Sequence, residues 1–441
     1  MKALGIDLGT TSVAVVVYDT SLARPVWCRS RPHGAVLPVD DPLAAAQDAS
    51  RMLELSETFL REALAEHPDV AAIGVTGQMH GVVYLDDELL PVSPLFTWQD
   101  RRGGLDIAPG ETFAERLSRL TGVHVPVGYG LATHASLAHH GLVPGGAAWL
   151  ATLPDAFAAR LAGLSRPRAH ASLAHSMGGF VVQQGAFAAD GLREAGIDLR
   201  LLPEVVPDVQ ILGAYRGIPV AVALGDHQAS FLGAVGVEEG GVLVNIGTGA
   251  QVSICVRGEP KLGSGAELRP FVRDLRLAVA ATLAGGAAYQ LVTAFFDRVV
   301  RLYGCEPTRS GYEVLDAAIA AWRKAGGGPF PRVRPTFYGS RWSDDNGARV
   351  EGWTAAAMTP EAFAWGVLSG VAEELHEGFL RLCSGGQKGS RTFAGAGNAL
   401  RVNRHLRDAV EAAFGRPVSL APYPEEAAQG AARWAAMALL S

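Results

Sequence analysis

The sequence predicts an α/β protein built from two similar domains that face one nucleotide across a cleft. Three observations predict it. Ala3 to Asp19 alternates Leu4, Ile6 and Leu8 with small or polar residues, breaks at Gly9-Thr10-Thr11-Ser12, and resumes a β-branched run to Tyr18. It therefore reads as two strands joined by a tight polar turn. Val242 to Val256, VLVNIGTGAQVSICV, repeats the pattern of strand, Gly-Thr-Gly turn and strand. Elsewhere short apolar strands run into glycine-marked loops and then into helical periodicity, the alternation of an α/β protein.

The first turn has the chemistry of a phosphate site. Gly9 lets the backbone approach a ligand without a Cβ in the way, and the hydroxyls and amides of Thr10, Thr11 and Ser12 offer a row of donors to phosphate oxygens. Asp7, at the end of the first strand, supplies the hard carboxylate oxygen that magnesium prefers, directly or through water. Alone, the same residues would serve equally well to satisfy turn backbone, so the weight rests on the recurrence.

Composition bounds the rest. With 441 residues, and ~100–200 per domain as the usual size, two or three domains are expected. Hydrophobic residues make up 49% and charged residues 19%, enough to bury large cores. A net charge of −6 leaves no electrostatic footprint for nucleic acid. A strand begins within a few residues of Met1, which argues against a signal peptide, and no apolar run approaches the ~20 residues of a membrane span. Cys28, Cys255, Cys305 and Cys383 are scattered without C-x-x-C spacing, so reduced thiols filling cores in a cytoplasmic protein are expected.

In chain order, Ala49, Met52, Leu53, Phe59, Leu60, Ala63 and Leu64 recur at helical spacing, bracketed by Pro42 and Pro68. Val70 to Thr76 is a short strand that runs into Gly77-Gln78-Met79-His80-Gly81, a loop projecting three side chains where α/β sheets bind ligands. Trp98, Asp100 and Arg101 in Thr97–Arg102 suit a polyol, with a ring face to stack on and charged groups for hydroxyls, although a Trp-anchored loop with an ion pair explains them as well. His-Ala-Ser-Leu-Ala-His occurs twice, at 134–139 and 170–175. Histidines five apart do not share a helix face and no ligand cluster accompanies them, so a metal site is rejected. Ile218 to Leu224 is a buried-type strand ending in Gly225-Asp226-His227-Gln228, where Asp226 can serve as a general base, as a helix cap, or as both. The domain boundary is expected near Ser230 to Glu239. Beyond it, Gly285-Gly286 opens a helix whose buried face is Leu291, Val292, Phe295, Phe296 and Val299; Thr359-Pro360 starts another. Ala394 to Asn398 is a glycine turn leading to a helix, and Glu425 to Leu440 is the last helix.

Together these motifs resemble the FGGY carbohydrate kinases, members of the actin-like ATPase superfamily, over essentially the whole chain. GQMHG is shared by ketose kinases, xylulose kinases included, whereas GQMHGVV, TWQDRR, ALGDHQAS and LRLAVAATLAGGAAYQL taken together are most similar to the branch acting on sedoheptulose. The resemblance implies two actin-like, ribonuclease-H-like domains with an interdomain cleft, residues 1–232 and 233–441, that close on substrate. It implies ATP and Mg2+, with Asp7 on the metal and Asp226 as the catalytic base. Thr10, Thr11, Ser12, Gly247 and Thr248 would cradle phosphate oxygens, and Gly285, Gly286, Gly395, Ala396 and Asn398 would line the adenosine side. Gln78, Met79, His80, Trp98, Asp100, Asp226 and His227 would hold the sugar. His227 stands where the family more often has Asn, Gln or Leu. The expected partners are a small ketose and ATP, without nucleic acid or membrane, and self-association as a homodimer is left open. The competing class is a non-kinase actin-like ATPase, such as a chaperone or filament former. That class needs neither GQMHG nor TWQD, and no residues remain here for a client-binding domain.

Overall fold

β1 (Lys2–Leu8) and β2 (Ser12–Asp19) form the first hairpin, antiparallel from Lys2↔Asp19 to Leu8↔Val13 and buried along most of its length. The computed structural model, which describes residues 1–341, 347–383 and 392–440, continues this hairpin into a seven-stranded sheet. β3 (Arg24–Pro32) adds antiparallel to β2. α1 (Ala49–Glu66) starts at Asp48, whose side chain accepts from the Arg51 amide, and buries Met52, Leu53, Phe59, Leu60 and Ala63, the face that its spacing predicts. β4 (Val70–Gly77) then lies parallel to β1. α2 (Gly130–His139) and α3 (Ala171–Met177) follow. β5 (Ile211–Tyr215), β6 (Ile218–Ala221) and the two-residue β7 (Leu224–Gly225) complete the sheet in the order β5-β6-β4-β1-β2-β3, with β7 also paired to β4. The expected strand from Ile218 to Leu224 is thus two pieces, the second realigned at the far end of β4. α4 (Asp226–Ala234) begins immediately after it.

The second sheet repeats the scheme. β8 (Val242–Ile246) and β9 (Ala250–Arg257) form its hairpin. With β10 (Ala266–Pro270), β11 (Leu275–Thr282), β12 (Phe393–Ala396) and β13 (Ser419–Leu420) the order is β10-β11-β9-β8-β12-β13. In both sheets an antiparallel three-strand run is continued by a parallel strand beside the first strand, β4 in one and β12 in the other. α5 (Gly286–Leu302), α6 (Pro360–Leu382), α7 (Asn398–Val402) and α8 (Arg404–Phe414) belong to this half. The side chains that α5 buries are Ala287, Ala288, Tyr289, Val292 and Thr293, which corrects the predicted face in part: Val292 is buried and Phe296 packs half-buried on the core, whereas Leu291 and Phe295 are exposed. The start of α5 lies so close to the 247–249 turn that a Cβ on Gly285 or Gly286 would strike its backbone. Further along, Leu291, Val292, Phe295 and Phe296 line an apolar pocket of about 490 Å³ with Phe337, Trp353 and Phe363.

The final helix, α9 (Glu426–Ala438), returns to the first sheet. Ala428, Ala432 and Ala436, four apart, meet Ala3, Ala14, Val16 and Tyr18. A Cβ on Gly5 or Gly74 would run into the carbonyl oxygens of Ala428 and Ala431, so glycine in the strands and alanine in the helix permit backbone-close packing. Trp434, fully buried, donates from Nε1 to Val222 O at 2.8 Å. The chain accordingly divides into one unit of Met1–Gly233, Arg269–Asp274 and Tyr423–Ser441, and another of Ala234–Leu268 and Leu275–Pro422. A cut after residue 232 would assign both of the returning segments to the other unit. Among the cysteines only Cys255 is buried, while Cys28 and Cys305 are exposed rather than core filler. No helix among the described residues is long and apolar enough to cross a membrane.

Candidate active site

Register brings the first unit's candidate residues together. Asp7 and Leu8 of β1 lie level with Thr76 and Gly77 of β4, and Leu224 and Gly225 of β7 lie level with the same pair. Three strands therefore end side by side, with neighbours ~5 Å apart. The segments Gly9–Ser12, Gln78–His80 and Asp226–His227 leave the sheet at one edge, where such sheets bind ligands.

Two carboxylates stand at that edge. Burial, and then the charges of Asp226 and Glu425, hold Asp7 well above the usual carboxylate range. Its Oδ1 is buried without a hydrogen-bond partner among the described residues. Asp226 is pushed up to about 6, first by burial; the His227 amide, which donates to Oδ1 at 2.7 Å, and the Arg269 guanidinium pull it back. Glu425, which precedes α9 in a left-handed conformation (φ 64°), is the acid that sequence reasoning missed. Its importance depends on α9 lying along β1, which no local signal announces. An orphaned hard oxygen with further carboxylate charge beside it fits a divalent cation completed by phosphate and water. Among the described residues no group of three or more potential metal ligands occurs.

The 78–80 and 97–102 loops are well tied. Gln78 is 1% exposed; its Nε2 donates to Gln47 Oε1 at 2.8 Å and its Oε1 has no partner among the described residues. Met79 is buried, and its Cε would stand 3.0 Å from a Cβ on Gly225, so the loop and the Asp226 turn touch. His80 donates from Nδ1 to Ser176 O at 3.1 Å and stacks on Tyr129 with centroids 4.3 Å apart. Trp98 is 47% exposed, a free ring face, and donates from Nε1 to Thr10 Oγ1 at 3.3 Å. Asp100 departs from the expected role. It is fully buried, and its carboxylate accepts from the Arg102 guanidinium at 2.6 Å and from the amides of Arg102 and Ala45, so it closes the loop instead of offering oxygens to a sugar. His227 is 4% exposed and accepts at Nδ1 from Arg269 Nη1 at 3.0 Å.

The repeated hexapeptide separates into two different roles. In the first copy His134 meets the Tyr84 hydroxyl at 2.6 Å inside α2's surroundings. In the second, Ser172 Oγ accepts from the Gly225 amide at 3.1 Å and donates to His170 Nδ1 at 2.9 Å, while Ser176 Oγ donates to Met79 O. α3 therefore ties the GQMHG loop to the turn carrying Asp226, and Thr76 Oγ1 fixes the other side of that turn through Leu224 O at 2.7 Å.

In the second unit the glycine motifs also converge. β8 and β12 run parallel with Asn245 level with Ala396, which sets Ile246, just before the 247–249 turn, beside Gly397. Gly397 (φ 89°) has no room for a Cβ against Ile246 O and Asn245 Oδ1. The turn leaves Thr248 exposed and Gly247 half-buried, and Asn398 is exposed. Gly285 and Gly286 pack on the 247–249 backbone, with the Gly286 amide donating to Gly247 O at 2.9 Å, so they shape the turn and do not open toward a ligand. Gly395 and Ala396 are buried strand residues; a Cβ on Gly395 would meet Val418 and Leu400.

Residues 2–124 match the FGGY family of carbohydrate kinases, N-terminal domain. Sedoheptulokinase of Homo sapiens is 28% identical over 97% of this chain and 96% of its own length. A xylulose kinase of Streptomyces rubiginosus is 27% identical over 58% of this chain and 55% of its own. Among solved structures, xylulose kinase from Rhodospirillum rubrum aligns with a TM-score of 0.82 at 23% identity, covering 99% of this chain and 90% of that one. Plasmodium falciparum glycerol kinase with ADP reaches 0.80 at 17%, covering 99% and 89%. These structural likenesses establish the two-domain actin-like fold.

Proposed function

We propose that the chain is a carbohydrate kinase of the FGGY kind, with a sugar and ATP as its substrates, and that it phosphorylates the terminal hydroxyl of a ketose, with sedoheptulose preferred. The observation that carries the reading is the common edge of β1, β4 and β7, from which a phosphate turn, an acceptor loop and an acid of raised pKa emerge together.

Asp226 accepts the proton of the acceptor hydroxyl as that oxygen bonds the γ-phosphorus and the bond to the β-phosphate oxygen breaks, releasing ADP. Asp7 would hold Mg2+, and charge neutralisation on the phosphoryl oxygens is the chemistry that ion supplies. Thr10, Thr11 and Ser12 offer donors to the phosphate oxygens of the nucleotide. Gln78, His80 and the Trp98 ring orient the sugar, whose extra hydroxyls must each find partners. An unpaired buried polar group costs ~1–3 kcal/mol, enough to separate five- from seven-carbon sugars by one to two orders of magnitude. The test is ADP release over a panel of ketoses. kcat/KM for sedoheptulose should exceed that for D-xylulose; a ratio below one selects the xylulose reading, which the GQMHG loop also admits.

A further inference from the structure

Thr10 O, the carbonyl at the crown of the phosphate turn, is held from two sides. His33, 2% exposed, donates to it from Nε2 at 2.9 Å, and Gln47, 3% exposed, donates from Nε2 at 2.8 Å. Because a carbonyl only accepts, Gln47 must present its amide nitrogen there, which turns its Oε1 toward Gln78 Nε2, 2.8 Å away. Gln78 thereby directs its own Oε1 elsewhere, buried and lacking a donor among the described residues. A second link runs in parallel, from Trp98 Nε1 to Thr10 Oγ1. Both acceptor loops are therefore wired to the residue that shapes the phosphate turn.

We propose that Gln47 is a positioning residue that couples the acceptor loop to the phosphate turn, so that a ketose hydroxyl donating to Gln78 Oε1 tightens the hold of Thr10–Ser12 on the nucleotide. The inference rests on the ketose-kinase reading above. Its physical basis is that hydrogen bonds in a buried chain polarise one another, so filling the empty acceptor at one end strengthens the bond at the other. A turn already ordered by sugar also costs the nucleotide less to order. The coupling is reciprocal: ADP should tighten ketose binding by the same factor.

The experiment is ADP binding by calorimetry, with magnesium, in the presence and absence of saturating sedoheptulose. In the natural protein the sugar should tighten ADP by ~5-fold or more. In Gln47→Met, which keeps length but neither accepts from Gln78 nor donates to Thr10, the ratio should fall below about 2-fold, while ADP affinity without sugar changes little. Gln47→Glu, whose carboxylate still accepts from Gln78 but cannot donate to Thr10 O, should also lower the ratio, and it decides the matter if Gln47→Met does not fold. An unchanged ratio in a folded variant, or a ratio of one in the natural protein alongside sugar-dependent ADP release, overturns the coupling alone. If no ketose supports ADP release, the kinase reading and the coupling fall together.

Discussion

Asp226 has its pKa raised to about 6, near enough to neutrality for a carboxylate to accept a proton on each turnover and release it again. Only the ionised form is a base, so activity is full above that pKa and lost below it: kcat/KM should fall about tenfold per pH unit once the pH drops under ~6. Asp226→Asn should keep sugar and ATP binding while turnover falls ~10²–10⁴-fold, the worth of a positioned base. Near-normal turnover would remove Asp226 from the mechanism. Asp7 carries a different signature. Its raised pKa means that the folded state binds a proton more tightly than the unfolded one, a contribution present at low pH and lost as the pH rises through the folded pKa. Above the ordinary carboxylate range, the cost of burying Asp7 therefore destabilises the metal-free protein. Asp7→Asn should raise Tm in chelator by ~2 °C or more and abolish the Tm increase that magnesium gives the natural protein. A variant melting below the natural protein in chelator would show that Asp7 stabilises its turn more than it strains it.

α3 is the element whose function is least apparent locally. Its hydroxyls serve two loops: Ser172 takes the Gly225 amide and Ser176 reaches Met79 O. Ser172→Ala would leave a buried amide without its acceptor, at ~1–3 kcal/mol, and would free the turn next to Asp226. The expected outcome is a kcat lower by about tenfold with the sugar KM changed less than threefold, because the base is misplaced while the sugar loop stays. Steady-state kinetics separate the two, and Ser172→Thr, which restores the hydroxyl, should recover most of the loss. A sugar KM that rises by as much as kcat falls, or a Ser172→Thr variant as impaired as Ser172→Ala, would mean general disruption. α5 teaches the complementary lesson. Its period of apolar residues was legible, but its first turn packs on the 247–249 backbone, where Gly285 and Gly286 have no room for a Cβ.

At the scale of the molecule, the last helix closes the first unit. Removing residues 423–441 would expose the glycine faces of β1 and β4 and take Glu425 and Trp434 away with them. Such a chain should lose the cooperative melting of the first unit and become protease-sensitive within residues 1–233, while the second unit, whose own core spans Val242 to Val410, keeps a transition. Two intact transitions in the shortened chain would show that α9 only decorates the sheet.

Both hairpins, the α/β class, α1 and the chemistry-bearing loops after β4 and β7 could be read from the amino-acid order, because alternation, turn residues and helical period are local and are written within ten or twenty positions. What local pattern could not contain was partnership across the chain. Asp100 offered the same letters whether it bound a sugar or Arg102, and only the folded loop shows its oxygens taken. Gly285 and Gly286 looked equally suited to a ligand and to a neighbouring backbone, and the turn at 247–249 fills the space. Glu425 acquired its place beside Asp7 through a helix that arrives some four hundred residues later in the chain, and Gln47 acquired its role through the Thr10 carbonyl and the Gln78 amide, which lie outside its own stretch of sequence. Those assignments depend on which buried donor finds which acceptor, a choice made by tertiary packing because every such group must be satisfied somewhere.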